Sequence, residues 1–233
     1  MRWNLAAGCA AAAVLALAAH TGPAQADPFA DPRADKIPAL EQVGSFTNEP
    51  HDPACSDSKL VSTGGAAPRD RHTLAVRWTG FSNYELVYNG QIILLDAFFD
   101  RGSNYPPLGF AAADVKKANV ILIGHAHFDH MADAASVGIR TGATIVGAQV
   151  TTDKLKTQGV PEKQIRTVFG RSQEKLFFNG FTVEPVLALH GRPDKHITQV
   201  MENAVNSLAP KLTPEQQAEE KKIQDRGTFD PRV

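Results

Sequence analysis

Along "Thr73-Leu-Ala-Val-Arg-Trp78" apolar residues alternate with the rest, so Leu74, Val76 and Trp78 fall on one face of a predicted strand. Tyr84 to Tyr88 and Gln91 to Leu95 flank Asn89-Gly90, a pair that favours the two-residue type I′ turn of a hairpin. Val120 to Ile123 is a continuous β-branched and aliphatic run, the pattern of a strand buried on both faces, and Gly124 lets the chain turn at its end. Asp129 and His130 open a short helix through Ser136. Ala143 to Gly147 then reads as a strand, Thr152 to Gly159 as a helix closed by glycine, and Ile165 to Val168 as another strand. Glu174 to Phe178 and Phe181 to Leu189 form a hairpin about Asn179-Gly180. Beyond it Ile197, Val200, Met201, Ala204 and Leu208 keep helical spacing, and "Thr213-Pro-Glu-Gln216" starts a mostly polar helix to about Gln224.

Two N-terminal stretches stand apart from this pattern. Residues 1–26 combine Arg2, an apolar run from Leu5 to Ala19 and a small-x-small site at Ala24-Gln25-Ala26, the order of a secretory signal peptide. The run is too short for a stable membrane span, and "Ala6-Ala7-Gly8" before Cys9 lacks the leucine of a lipid-attachment site. The expected product is exported, periplasmic or secreted, with no membrane association after signal removal. Residues 27–70, rich in Pro, Asp, Ser and Gly, read as an extended arm. What remains is long enough for one sizeable core.

Composition narrows the partners. The formal charge is −1 and loss of Arg2 takes it one unit lower, so nothing electrostatic points to nucleic acid. Cys9 leaves with the signal and Cys55 then stands alone, so no internal disulfide is expected.

The chemistry concentrates in "Val-Ile-Leu-Ile-Gly-His-Ala-His-Phe-Asp-His-Met-Ala-Asp", residues 120 to 133. His125, His127, Asp129 and His130 sit at the C-terminal tip of a buried strand, and in extended chain residues two apart point the same way, so His125 and His127 can face one ion. His190 repeats this logic at the end of a later apolar strand, with Gly191 after it.

The His-x-His-x-Asp-His motif after a hydrophobic strand, with His190 at another strand end, resembles the metallo-β-lactamase superfamily over roughly Thr73 to Gly191. "Trp78-Thr-Gly-Phe-Ser-Asn83" is similar to its lactonase-like branch. The resemblance implies an α/β (α+β) fold, the αββα sandwich, and a metal-dependent hydrolase acting on a small-molecule ester, lactone, lactam or phosphodiester. His125, His127 and His190 would make a three-imidazole site with one open position, the composition of catalytic zinc, with manganese and iron as alternatives. Such an ion lowers the pKa of bound water and makes hydroxide available near neutrality. Asp129 and His130 would begin a second metal position, or Asp129 would act catalytically by orienting the nucleophile; one ion is expected, and a second is left open. Asp96, after "Ile92-Ile-Leu-Leu", matches the family's acidic residue behind the ligands, beside the plainer reading of a strand-end cap.

The family's bridging aspartate and final histidine have no recognisable counterpart after Gly191, where the pattern turns helical from about residue 195. Residues 71–233 are therefore expected to form a partial domain with the first sheet present and the C-terminal half largely missing. A catalytically inactive metal-binding remnant stands as the alternative function. Apolar strand faces left without their usual cover also point to a homo-oligomer.

Overall fold

A computed structural model describes residues 52–188 and 212–228 of the 233-residue chain. The expected signal peptide, the first part of the arm, His190 and the helix predicted around Ile197 to Leu208 lie outside the described residues.

Six strands form one sheet in sequence order: β1 (Ala75–Trp78), β2 (Tyr84–Tyr88), β3 (Gln91–Leu95), β4 (Val120–Leu122), β5 (Thr144–Gly147) and β6 (Ile165–Thr167). The first three pair antiparallel and β3 to β6 run parallel, giving the mixed sheet of an α/β protein. Asn89 and Gly90 take φ of 49° and 73°, the double positive φ of a type I′ turn, so β2 and β3 meet in the predicted register, Tyr88 opposite Gln91. A second, two-stranded sheet pairs β7 (Leu176–Phe178) with β8 (Phe181–Val183). The expected strand to Leu189 thus stops at Val183. Pro185 explains the early end, because it has no N–H for the ladder.

The sheet has two differently covered faces. On one, Leu94, Ile121 and Ile145 lie with Val115, Val137 and Leu155 in the main core, against the helices α3 (Ala134–Thr141) and α4 (Gln149–Thr157). On the other, Ile93, Val120 and Val146 are buried beneath Leu176, Phe178 and Phe181 of the small hairpin. Toward β1 this second face opens: Leu74, Val76 and Trp78 are 54%, 55% and 67% exposed.

The described part of the arm is not simply extended. A short helix α1 (Pro53–Ser56) is capped by the Asp52 carboxylate, and a 3-10 turn at Val61–Thr63 starts where the buried Glu85 carboxylate accepts the amides of Val61 and Ser62. Local side-chain acceptors convert an open chain into turns.

The chain after β4 forms two helices where one was expected, α2 (Phe128–Met131) and then α3. The break falls at Asp133, which is 1% exposed and turns its carboxylate inward to accept the amides of Phe99 and Asp100. A last helix, α5 (Pro214–Gln224), carries the predicted capping box between Thr213 and Gln216. It buries Ile223 against Phe98 and Ala132. The turn behind it reaches the histidine loop: Arg226 pairs with Asp133 and Thr228 N–H donates to the Ala126 carbonyl at 2.8 Å. Gly227 rests so closely there that a Cβ would lie 2.3 Å from the Phe128 nitrogen. No helix among the described residues is long and apolar enough to cross a membrane.

Candidate metal centre

Asp96 and the histidine loop follow directly from β3 and β4, which are adjacent and parallel, so both emerge at the C-terminal ends of the parallel strands. In open α/β sheets this is where ligands bind. The backbone there is tied tightly: Asp96 N–H donates to Leu122, Ala97 N–H to His130, and Gly124 N–H to Asp96 Oδ1 at 2.8 Å. Asp96 holds φ at 58°, a left-handed conformation that aspartate tolerates better than most side chains.

The loop brings His125, Asp129 and His130 together, with one potential ligand atom from each within 4.8 Å of the others. His127 joins through a different contact. Its Nδ1 lies 2.9 Å from His125 Nε2, and Ala126 between them is buried. His125 and His130 also approach ring to ring at 3.8 Å. His190 lies outside the described residues.

Asp96 Oδ2 lies 2.7 Å from His130 Nδ1, and Ser82 Oγ lies 3.1 Å from the same nitrogen. A carboxylate acceptor favours hydrogen on Nδ1 and leaves the Nε2 lone pair toward the cluster, where Asp129 Oδ2 is 3.8 Å away. This arrangement of imidazole backed by carboxylate is what orients histidine ligands in metal sites. Burial works against the imidazolium form of His130. The hydrogen bond and charge of Asp96, with Asp129 beyond it, outweigh that and hold its pKa above the ordinary value. The donor set, two imidazoles and a carboxylate with a third imidazole in contact, therefore fits a divalent transition ion.

Ser82, Asp133 and Arg226 were not singled out from the sequence. Ser82 sits in the Trp78 to Asn83 stretch, but a lone serine carries no local sign of a partner 48 positions away. Asp133 closes the quoted motif and could pass there for an exposed helical residue. Its partner Arg226 is 93 positions on.

The Beta-lactamase superfamily domain matches residues 91–208, half of the chain, and the chain belongs to that family. Its mixed six-stranded sheet accords with a metallo-β-lactamase-like α/β fold. A UPF0173 metal-dependent hydrolase from Lawsonia intracellularis is 36% identical over 88 residues, 38% of this chain and 37% of the relative. Another from Agrobacterium fabrum is 31% identical over 121 residues, 50% of this chain and 48% of the relative. The chain spans between about a third and a half of the length of these curated relatives. Among solved structures, the metallo hydrolase Igni18 from Ignicoccus hospitalis is similar with a TM-score of 0.36 and 21% identity, over 46% of this chain and 43% of that one.

Proposed function

We propose that the chain is an exported metal-dependent hydrolase that acts on a small-molecule ester, lactone, lactam or phosphodiester. The observation that carries this reading is the convergence of His125, Asp129 and His130 at the strand tips, with Asp96 bonded behind His130. These three residues, with His127 and the expected His190, would hold the ion, zinc by ligand type, with manganese or iron as alternatives. A bound divalent ion would polarise the scissile carbonyl or phosphoryl group and make water acidic enough to attack near neutral pH. Asp96 fixes the His130 ring, and Asp129, half-exposed at the cluster, is placed to hold or orient a second polar group. Export rests on the signal-like order of residues 1–26.

The test is metal analysis after dialysis, then hydrolysis of an ester, lactone, lactam and phosphodiester panel before and after chelation. About one equivalent of tightly held zinc is expected, with turnover lost on chelation and restored by metal. Asp96→Asn should weaken metal retention about 10- to 100-fold, as loss of an outer carboxylate does elsewhere. Absence of metal retention by the purified chain would defeat the reading. Metal uptake with no turnover on any substrate would identify a non-catalytic, metal-binding remnant instead.

A further inference from the structure

Along the edge of β1 lies a cavity of about 1110 Å³. Three of its lining side chains are cationic, Lys59, Arg77 and Arg101; Trp78, Phe81 and Phe110 are aromatic; none is a carboxylate. A smaller cavity of about 490 Å³ shares Arg101 and Phe110, so Arg101 stands on the wall of both.

Arg101 is unusually constrained for a cation. It is 7% exposed, with its guanidinium 4.6 Å from the centre of the Phe81 ring and 5.4 Å from that of Phe98. Nε donates to the Phe98 carbonyl and Nη2 to the Thr79 carbonyl, each at 3.0 Å. Gly80 permits this fit, since a Cβ there, at a φ of 93°, would lie 2.7 Å from Nη1. Nη1 itself has no acceptor among the described residues, yet it is not sealed off from solvent. The carboxylate that acts on Arg101 through its charge, Asp133, is committed to Arg226 and to two backbone amides. Two further polar atoms on the cavity's lining residues are also without partners: Arg77 Nη2 and Thr79 Oγ1. Asp57 acts on Arg77 and Lys59 through its charge, but its carboxylate is committed to the backbone amides of Lys59 and Ala66. Carbonyls take the Nε and Nη2 side of Arg101 and Gly80 fills the space before Nη1 and Nη2, so the guanidinium keeps one outward Nη1–H for a charge-assisted hydrogen bond to an oxyanion.

We propose that this cavity binds the anionic end, a carboxylate or a phosphate, of a small organic molecule whose apolar body lies on Trp78, Phe81 and Phe110. Arg101 holds the oxyanion, Arg77 and Lys59 attract it, and the aromatic walls desolvate the remainder. Resting on the hydrolase reading, the cavity also defines a substrate class. Phe81 is a lining residue, and the next residue, Ser82, touches His130. With its charge held in this cavity, a substrate that extends past Phe81 toward Ser82 would bring its scissile bond to the histidine cluster.

The test uses the full chain, stripped of metal by chelation so that the histidine cluster contributes no metal-bound anion. Calorimetric titrations with benzoate, phenyl phosphate and uncharged benzyl alcohol are compared in the wild type, Lys59→Glu and Arg101→Gln. At least one anion should bind about tenfold more tightly than the alcohol, and each variant should weaken it about tenfold, the usual size of a charge-assisted hydrogen bond. Lys59 is exposed, so Lys59→Glu remains informative even if Arg101→Gln fails to fold. Equal affinity for alcohol and anions, or unchanged anion affinity in Lys59→Glu, would overturn the proposal. The benzoate and phenyl phosphate arms decide which oxyanion is preferred. In metal-loaded protein, the ratio of kcat/KM for an ester with a remote carboxylate to that for a neutral ester should fall in Lys59→Glu. Anion binding without hydrolysis would defeat the hydrolase reading and uphold the anion site; hydrolysis without anion binding would do the reverse.

Discussion

Under the helices, the six-stranded sheet buries Leu94, Ile121 and Ile145 completely, whereas on its opposite face the apolar row that starts at Ile93 and Val120 ends at β1 with Val76 and Trp78 in solvent. Both faces are written in the same kind of residue, so the difference lies in what the rest of the chain lays over them. Helices α3 and α4 cover the first, and the short β7–β8 hairpin covers only the middle of the second. The histidine loop grows from the well-covered parallel strands. The proposed anion cavity lies along the thinly covered edge. Cohesion and access are thus separated across one sheet.

The largest expected effect comes from cutting into the covered face. Ile121→Ala, at a position with no exposure, should lower the unfolding free energy by about 2–5 kcal/mol in a urea titration, while Val76→Ala should cost less than about 1 kcal/mol. Similar losses at the two positions would erase the contrast between the faces.

An intermediate effect is expected where α5 braces the covered side. Arg226→Ala leaves the buried Asp133 carboxylate without its counter-charge, and should cost about 1–3 kcal/mol, less than a fully buried pair because the arginine is partly in solvent. Its sign with pH is more telling than its size. Burial holds the Asp133 pKa above the ordinary value, against the opposing effects of Arg226 and of the amides of Asp100 and Phe99. The folded state therefore binds this proton more tightly than the unfolded one. The contribution is complete below the unfolded value of 3.8 and is lost as pH rises through the raised value. Removing Arg226 raises the folded value further, so acidification from neutrality to about pH 5 should favour the variant's Tm relative to the wild type's. A parallel decline of both melting curves would show that Asp133 is not the group Arg226 serves.

The smallest effect on stability is expected at the open end. Trp78→Ser should change the unfolding free energy by no more than about 0.5 kcal/mol, yet reduce self-association measured by sedimentation velocity, because it removes the most exposed member of the apolar strip. Association that persists undiminished would place the contact elsewhere.

These contrasts also mark how far the sequence could be read. Strand runs, the Asn89-Gly90 turn and the Thr213–Gln216 capping box are local patterns set by neighbours a few residues apart, and each was legible. The spacing marked a metal cluster, whereas which atoms approach one another, those of His125 with Asp129 and His130 and separately with His127, is set by the turn into α2. Asp133 with Arg226, Ser82 with His130 and the cations about Arg101 were not legible. Each depends on closure between distant segments, which leaves no period in the chain. The end of β8 was readable in principle from Pro185, but the apolar run around it dominated the pattern.

The strap formed by Ile223, Arg226, Gly227 and Thr228 over the histidine loop has a consequence for dynamics. Because Thr228 is bonded to Ala126, between two of the histidines, loop order and tail docking share one coupling free energy. A ligand that rigidifies the loop must then tighten the tail, and a tail that detaches must weaken that ligand by the same factor. Hydrogen exchange at the Thr228 amide is the natural reporter: metal addition should slow it, and the slowing should match the loss of metal affinity caused by freeing the tail. Residues about a hundred positions from the cluster would in this way sense its occupancy without touching the ion.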